Sequence, residues 1–159
     1  PFRLYKHHVH EGGIASPCVV HWPAGIEARG ELRDTPGHVI DLLPTFLDLA
    51  GAEAPAEIEG RAMEPMEGVS LAPALDGGEV DRDAIYWEHE GNRAIRVGNW
   101  KLVAMNGRPW ELYDLSKDRS EQNDLTEQEP ERTSRMAKMW EAYAARANVA
   151  PWKEVTKKK

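Results

Sequence analysis

The sequence predicts an α/β chain in two structural parts: the end of a larger α/β sheet domain over residues 1–80, then a small α+β unit over residues 81–150, closed by a tail at 151–159. Three observations predict it. A short apolar run near the start leads through a Pro-Gly turn and a polar loop to a helical pattern. Between Ala84 and Asp114 the period shortens to alternating segments separated by tight breaks. After Pro130 a long helical stripe begins.

The run Ser16-Pro17-Cys18-Val19-Val20-His21-Trp22 is rich in β-branched and aromatic residues and stops at Pro23-Ala24-Gly25, which predicts a buried strand ending in a turn. Cys18 is then a buried strand cysteine. A polar loop follows from Glu27 to Gly37. Asp41 is placed to cap a helix carrying Leu42, Leu43, Phe46, Leu47 and Leu49, with Pro44 tolerated in its first turn and Gly51 just beyond its end. Residues 52–68 show no sustained period and read as a long surface connection. Ser70 is expected to cap a short helix over Leu71 to Leu75, which ends at Asp76-Gly77-Gly78.

Four strands are predicted next: Ala84 to His89, Arg93 to Val97, Trp100 to Met105 and Trp110 to Tyr113. Breaks of two to four residues cannot carry a parallel crossover, so the sheet must be an antiparallel meander. Its cover is a C-terminal helix opened by Pro130, whose Met136, Met139, Trp140, Tyr143, Ala144 and Ala147 recur at three- and four-residue steps. Burial of Met136, Trp140 and Tyr143 is worth on the order of 1.5–3 kcal/mol each before entropy is subtracted.

Composition narrows the function classes. The chain has 159 residues and a formal charge of −7, with no basic patch beyond Lys157-Lys158-Lys159, so a nucleic-acid partner is not expected. One cysteine permits neither an internal disulfide nor a cysteine zinc cluster. No apolar run is long enough to span a membrane. The first residue is Pro1, and the segment richest in chemistry starts almost at once, so the chain is expected to be a piece of a longer protein.

That segment is Lys6-His7-His8-Val9-His10-Glu11-Gly12-Gly13-Ile14. An ammonium fixed beside a Gly-Gly turn is a grip for sulfate or phosphate oxygens, because the turn sets the backbone and lysine supplies a compact charge. If the stretch is extended, Lys6, His8 and His10 share one face and His7 points away. Pocket lining and ordinary surface histidines both remain open for His8 and His10. No third ligand near His7 and His10 suggests a metal site. His89 ends a predicted strand between Glu88 and Glu90. His21 and His38 are read as structural.

Lys6 followed by Glu11-Gly12-Gly13-Ile14, then Pro17, an apolar run and Trp22-Pro23, resembles the lysine-bearing segment of the type I sulfatases, the arylsulfatase-like branch of the alkaline phosphatase superfamily. Asp41-Leu42-Leu43-Pro44-Thr45 resembles that family's helix after the active-site sheet. Arg93-Ala94-Ile95-Arg96-Val97-Gly98-Asn99-Trp100-Lys101-Leu102-Val103 resembles the strand pair of its C-terminal subdomain. Trp110-Glu111-Leu112-Tyr113-Asp114-Leu115, with Glu121 and Asn123-Asp124-Leu125, resembles the segment that closes it. The four stretches stand in the family's order across nearly the whole chain. Ala15 departs from the pattern, since many members carry arginine there.

The resemblance implies a C-terminal portion of a sulfatase, so that residues 1–80 finish a sulfatase-type α/β sheet domain. It implies hydrolysis of aryl or carbohydrate sulfate esters, with a formylglycine made from a C/S-x-P-x-R motif as nucleophile and a calcium ion on the sulfate. Neither that motif nor an aspartate pair for the metal is recognisable in this chain, so both are expected upstream, in an N-terminal remainder of the catalytic domain. Lys6 stands at the family's position for the lysine that contacts a sulfate oxygen and is the catalytic candidate. His8, His10 and His89 are candidates for substrate binding, and no residue here is assigned to a metal. The isolated 159 residues are expected to be inactive. A periplasmic or secreted location is expected from the resemblance alone. Two other readings stay open: a non-catalytic carbohydrate-binding or docking module using Trp87, Trp100 and Trp110, and a phosphate-ester hydrolase of the same superfamily.

Overall fold

The computed structural model describes residues 1–27 and 30–156; the terminal lysine run Lys157–Lys159 lies outside them. The chain divides into two compact units, one made of Pro1–Cys18 with the residues from Asp83 onward, the other of Val19–Arg82. Residues 1–18 were expected to group with 19–80. They cluster instead with the C-terminal sheet, for a reason that lies in that sheet's two faces.

In the first unit, β3 (Ile85–His89), β4 (Asn92–Val97), β5 (Trp100–Ala104) and β6 (Glu111–Asp114) form an antiparallel meander in the order β3-β4-β5-β6. The turn between β3 and β4 puts Glu90 at φ 55° and Gly91 at φ 80°, the pair of left-handed residues that a two-residue hairpin turn of the primed type requires. The pairing Trp87↔Ala94↔Val103↔Glu111 and Ile85↔Arg96↔Lys101↔Tyr113 fixes one face of the sheet. Ile95, Leu102 and Leu112 point to the other.

That second face is covered by α4 (Pro130–Arg146), as the stripe predicts. Met136 is buried against Ile95, Leu102 and Leu112, with Met139, Trp140, Trp100 and Trp110 packed around them. Tyr143 stacks on Tyr86 with ring centroids 4.3 Å apart. The Trp140 indole N–H donates to the Trp87 carbonyl at 3.2 Å, so the ring enters the core with its polar atom satisfied. Trp100 and Trp110 are therefore structural, capped by the guanidinium groups of Arg132 and Arg93 at 4.0 and 4.3 Å. Within the expected tail, α5 (Trp152–Thr156) adds a short helix.

The first face is covered by residues 1–18, where Val9 is buried with Ala94, Val103, Tyr113 and Leu115, and Ile14 and Trp87 pack at the edge. Here Glu11–Ile14 form a single helical turn, α1. The strand expected over Ser16–Trp22 is absent: no strand pairing involves these residues, Val19 is 91% exposed, and Cys18 is exposed rather than buried. An apolar run becomes a strand only where a neighbouring strand satisfies its backbone, and the described residues place none beside it.

In the second unit the 3₁₀ turn Val39–Asp41 leads into α2 (Leu42–Ala50). The cap is His38, whose ring Nδ1 accepts from Ile40 N while Asp41 Oδ2 accepts from His38 N at 2.7 Å. Asp41, expected as the helix cap, is instead a fully buried hub. It accepts from Val69 N at 3.1 Å and pairs with Arg82. Gly51 ends α2 in the left-handed conformation at φ 61°. The connection over 52–68 contains a small hairpin, β1 (Glu57–Ile58) with β2 (Arg61–Ala62). Ser70, expected as the cap of α3 (Ala72–Leu75), stands one residue before the actual N-cap Leu71, and its Oγ accepts from Ala72 N at 3.1 Å.

Candidate functional site

Lys6 sits on an exposed turn with φ 53°, closed by a His8 N–H donating to the Tyr5 carbonyl at 3.3 Å. The stretch is therefore not extended. Lys6, His8 and His10 do not form one strand face, and the turn moves each to a different environment.

His10 goes inward and is fully buried. Its Nε2 lies 3.5 Å from Glu111 Oε2 without an aligned hydrogen bond, and Nδ1 is unpartnered. Burial, helped by the nearby Arg3 charge, lowers its pKa to about 4, so the ring is neutral at pH 7. His8 is half-buried and meets His10 edge-on at 6.4 Å. His7, expected to point away, stacks on His89 with centroids 5.6 Å apart.

Beneath the turn lies a charged network that hydropathy marks as surface. Glu11 Oε1 accepts from the Lys101 ammonium at 3.0 Å, and Glu11 Oε2 from Arg119 at 3.2 Å. Lys101 also stands 2.9 Å from Glu121 Oε1, an ion contact without hydrogen-bond alignment. The circuit closes where Glu121 Oε2 accepts from the Glu11 backbone N–H at 2.8 Å. Glu11, Lys101 and Glu121 are all buried, and their two negative charges are met by Lys101 and Arg119. Burial alone would raise the Glu11 carboxyl, but Lys101 and Arg119 outweigh it and hold it below the usual carboxylate range. For Glu121 burial prevails over Lys101, and its pKa is raised.

A second cluster adjoins it on the same sheet face. Arg3 donates to Glu111 at 2.5 Å, to the Tyr113 hydroxyl at 2.7 Å and to the Glu121 carbonyl at 3.3 Å. Tyr113 donates to Glu111 at 2.6 Å. Burial, opposed and outweighed by the bonds from Tyr113 and Arg3, leaves Glu111 with a lowered pKa.

Gly12 and Gly13 are required by close approach and not by a left-handed φ. A Cβ on Gly12 would lie 1.9 Å from the Leu4 carbonyl oxygen, and one on Gly13 1.8 Å from that of His8. The Glu-Gly-Gly sequence thus folds the Lys6 turn back on α1 while its acid anchors the whole segment to β5. Lys101, Arg119 and Glu121 carry no role in the sequence reading. Their signal is β5 itself, where Lys101 interrupts an otherwise continuous apolar run from Trp100 to Ala104, a pattern of burial on both faces.

Known proteins are similar to this chain in sequence and fold. A family model described as N-sulphoglucosamine sulphohydrolase, C-terminal, matches residues 2–148. An uncharacterised sulfatase of Schizosaccharomyces pombe is 34% identical over 94% of this chain and 28% of its own length. An N-acetylglucosamine-6-O-sulfatase of Bacteroides thetaiotaomicron is 31% identical over 76% of the chain and 23% of its own. The chain thus spans less than a third of the length of these relatives. Among solved structures, that of Ps i-CgsB matches with TM-score 0.62 and 28% identity over 78% of this chain and 27% of that one. A protein solved in complex with its substrate, D-glucosamine-2-N,6-O-disulfate, matches with TM-score 0.52 and 25% identity over 70% of this chain and 25% of that one.

Proposed function

The chain belongs to the N-sulphoglucosamine sulphohydrolase C-terminal family of sulfatases, and we propose that it supplies one wall of the active site of a longer enzyme that hydrolyses sulfate esters of carbohydrates. The observation that carries this reading is the mounting of Lys6: an exposed ammonium on a tight turn whose base is locked by the buried Glu11–Lys101–Glu121 network. A cation held this way meets the negative charge of a sulfate, and the growing charge on its leaving oxygen, without reorganising first. His8 and His89 keep surface and remain the candidates for substrate contact, whereas the buried, neutral His10 supports the turn from beneath.

The formylglycine and calcium expected for sulfatases do not fit residues of this chain. Cys18 is followed by Val19 and Val20 and lacks the motif's proline and arginine. Among the described residues the group with the spacing to hold a metal ion is His7, His89 and Glu90, imidazole-rich where calcium takes oxygen ligands. Both groups are therefore assigned to preceding sequence, as is the rest of the catalytic domain. No helix among the described residues is long and apolar enough to cross a membrane, and secretion or a periplasmic location completes the proposal.

Carbohydrate substrates are preferred over aryl sulfates because several relatives are named for sulfated amino sugars, among them an N-acetylglucosamine-6-O-sulfatase and a protein solved with D-glucosamine-2-N,6-O-disulfate, against one named arylsulfatase D. The test is turnover of a 6-O-sulfated amino sugar and of an aryl sulfate by the intact protein and its Lys6→Ala variant. Loss of roughly 10²–10³ in turnover on the sugar sulfate is expected, the usual cost of removing one such stabilising donor. Unchanged turnover would remove Lys6 from the site, and a clear preference for the aryl ester would overturn the substrate class.

A further inference from the structure

We propose that His7, His89 and Glu90 form a binding site for a divalent transition metal of the zinc class, which ties the Lys6 turn to the β3–β4 hairpin. Nothing near His7 in the sequence offers a third ligand; the fold brings two from a distant hairpin. One ligand atom from each residue lies within 4.8 Å of the others. His7 Nδ1 stands 2.9 Å from Glu90 Oε2, and the His7 and His89 rings are nearly parallel at 22°. Tetrahedral zinc, with ligands at about 2.0–2.2 Å, places its donor atoms roughly 3.3 Å apart. His7 and His89 are exposed and Glu90 is half-buried, which leaves their side chains room to turn towards a shared ion.

What sets this cluster apart from a chance meeting of surface side chains is Asn92. Its side-chain amide, almost wholly buried, donates to the His7 carbonyl and to the His89 carbonyl, each at 2.9 Å. Its own oxygen accepts from Asn106 N at 3.1 Å, which fixes the amide's orientation. One side chain thus holds the backbones of both histidines at a set spacing before any metal arrives. The third is presented by a turn residue in the left-handed region, Glu90 at φ 55°, where glycine or asparagine would be less strained.

Two imidazoles and one carboxylate suit zinc, copper, nickel or cobalt, and are a poor set for calcium or magnesium, which take oxygen ligands. Three protein ligands leave a fourth position for water. Because His7 follows Lys6 directly, a bound ion restrains the turn that carries the ammonium.

The experiment is a calorimetric titration of the intact protein with zinc chloride, in buffer containing calcium to fill any oxygen-ligand site. Hydrogen exchange is followed in parallel over residues 5–8 and 89–92. The expected result is one zinc bound, with both segments slowing together. H7Q and H89Q should each weaken binding at least about tenfold, no less than the loss of an outer-shell partner costs in known metal sites, while H21Q, outside the cluster, should leave it unchanged. E90G separates a ligand from a structural turn residue: it should weaken zinc binding while leaving the metal-free protein as stable as before or more so. Zinc affinity unaltered by H7Q and H89Q, or protection confined to other segments, would overturn the assignment.

Discussion

The Lys101 ammonium lies 3.0 Å from Glu11 Oε1, across 90 residues of chain, with both side chains removed from water. Breaking a buried pair by removing one member leaves an uncompensated charge and costs about 3–5 kcal/mol. Lys101→Met is expected to destabilise its unit by that much, and by more than Glu11→Gln, because losing the ammonium leaves Glu11 and Glu121 facing each other. Urea unfolding followed by tryptophan fluorescence measures both. Losses below about 1 kcal/mol, the range of exposed pairs, would mean that the network is solvated.

His10 sets a pH dependence of known sign. Its folded pKa is about 4, against about 6.5 in the unfolded chain. Between those values the unfolded state binds more protons, so stability falls as pH drops from 6.5 towards 4, by on the order of 3 kcal/mol in total. Glu11 and Glu111, with lowered values, add losses at still lower pH, whereas Glu121, raised by burial, works in the opposite sense. His10→Phe should remove the slope between pH 6.5 and 4 and leave the carboxylate contributions. An identical pH profile of the urea midpoint in the variant would exclude His10 as its source.

Gly13→Ala forces a Cβ into the His8 carbonyl oxygen, and Gly12→Ala forces one into that of Leu4. At compatible sites this exchange stabilises a protein by about 0.4–1 kcal/mol. Here the sign should reverse, and residues 1–18 should become the preferred site of limited proteolysis. Full protease resistance in both variants would show that the turn can open without cost.

Lys6→Gly separates stability from function at a single position. The left-handed backbone at Lys6 disfavours any side chain with a Cβ, so glycine should leave stability unchanged or raise it by up to about 1 kcal/mol. Turnover of a sulfate ester by the intact enzyme should nevertheless fall, as for Lys6→Ala. A melting temperature well below that of the parent protein would mean that Lys6 makes structural contacts as well.

The meander and its covering helix were legible because their signals are local. Two-residue breaks such as Gly98-Asn99 dictate antiparallel neighbours, and the Met136–Tyr143 stripe needs only one sheet face to pack on. The other face was not legible, because beside Val9 and Ile14 its cover includes charged residues whose pairing exists only in three dimensions. Glu11 and Lys101 look like surface groups until each is seen to neutralise the other. The Ser16–Trp22 run failed in the opposite way, since its apolar pattern describes a strand whose partners are not among the described residues. At the candidate site, sequence singled out Lys6 as the candidate and grouped His8 and His10 with it by alternation, but a left-handed residue at Lys6 breaks the alternation and buries His10.

The ion network also bears on how such chains can be recombined. Glu11 and its partners Lys101, Arg119 and Glu121 are separated by the whole of the Val19–Arg82 unit. A chimera of two homologues with its crossover inside that unit takes the acid from one parent and the bases from the other. Such hybrids inherit an intact sheet and an intact lysine turn and still lose the seam between them unless both parents use the same charges, so tolerated crossover points should lie after Glu121 or before Arg3.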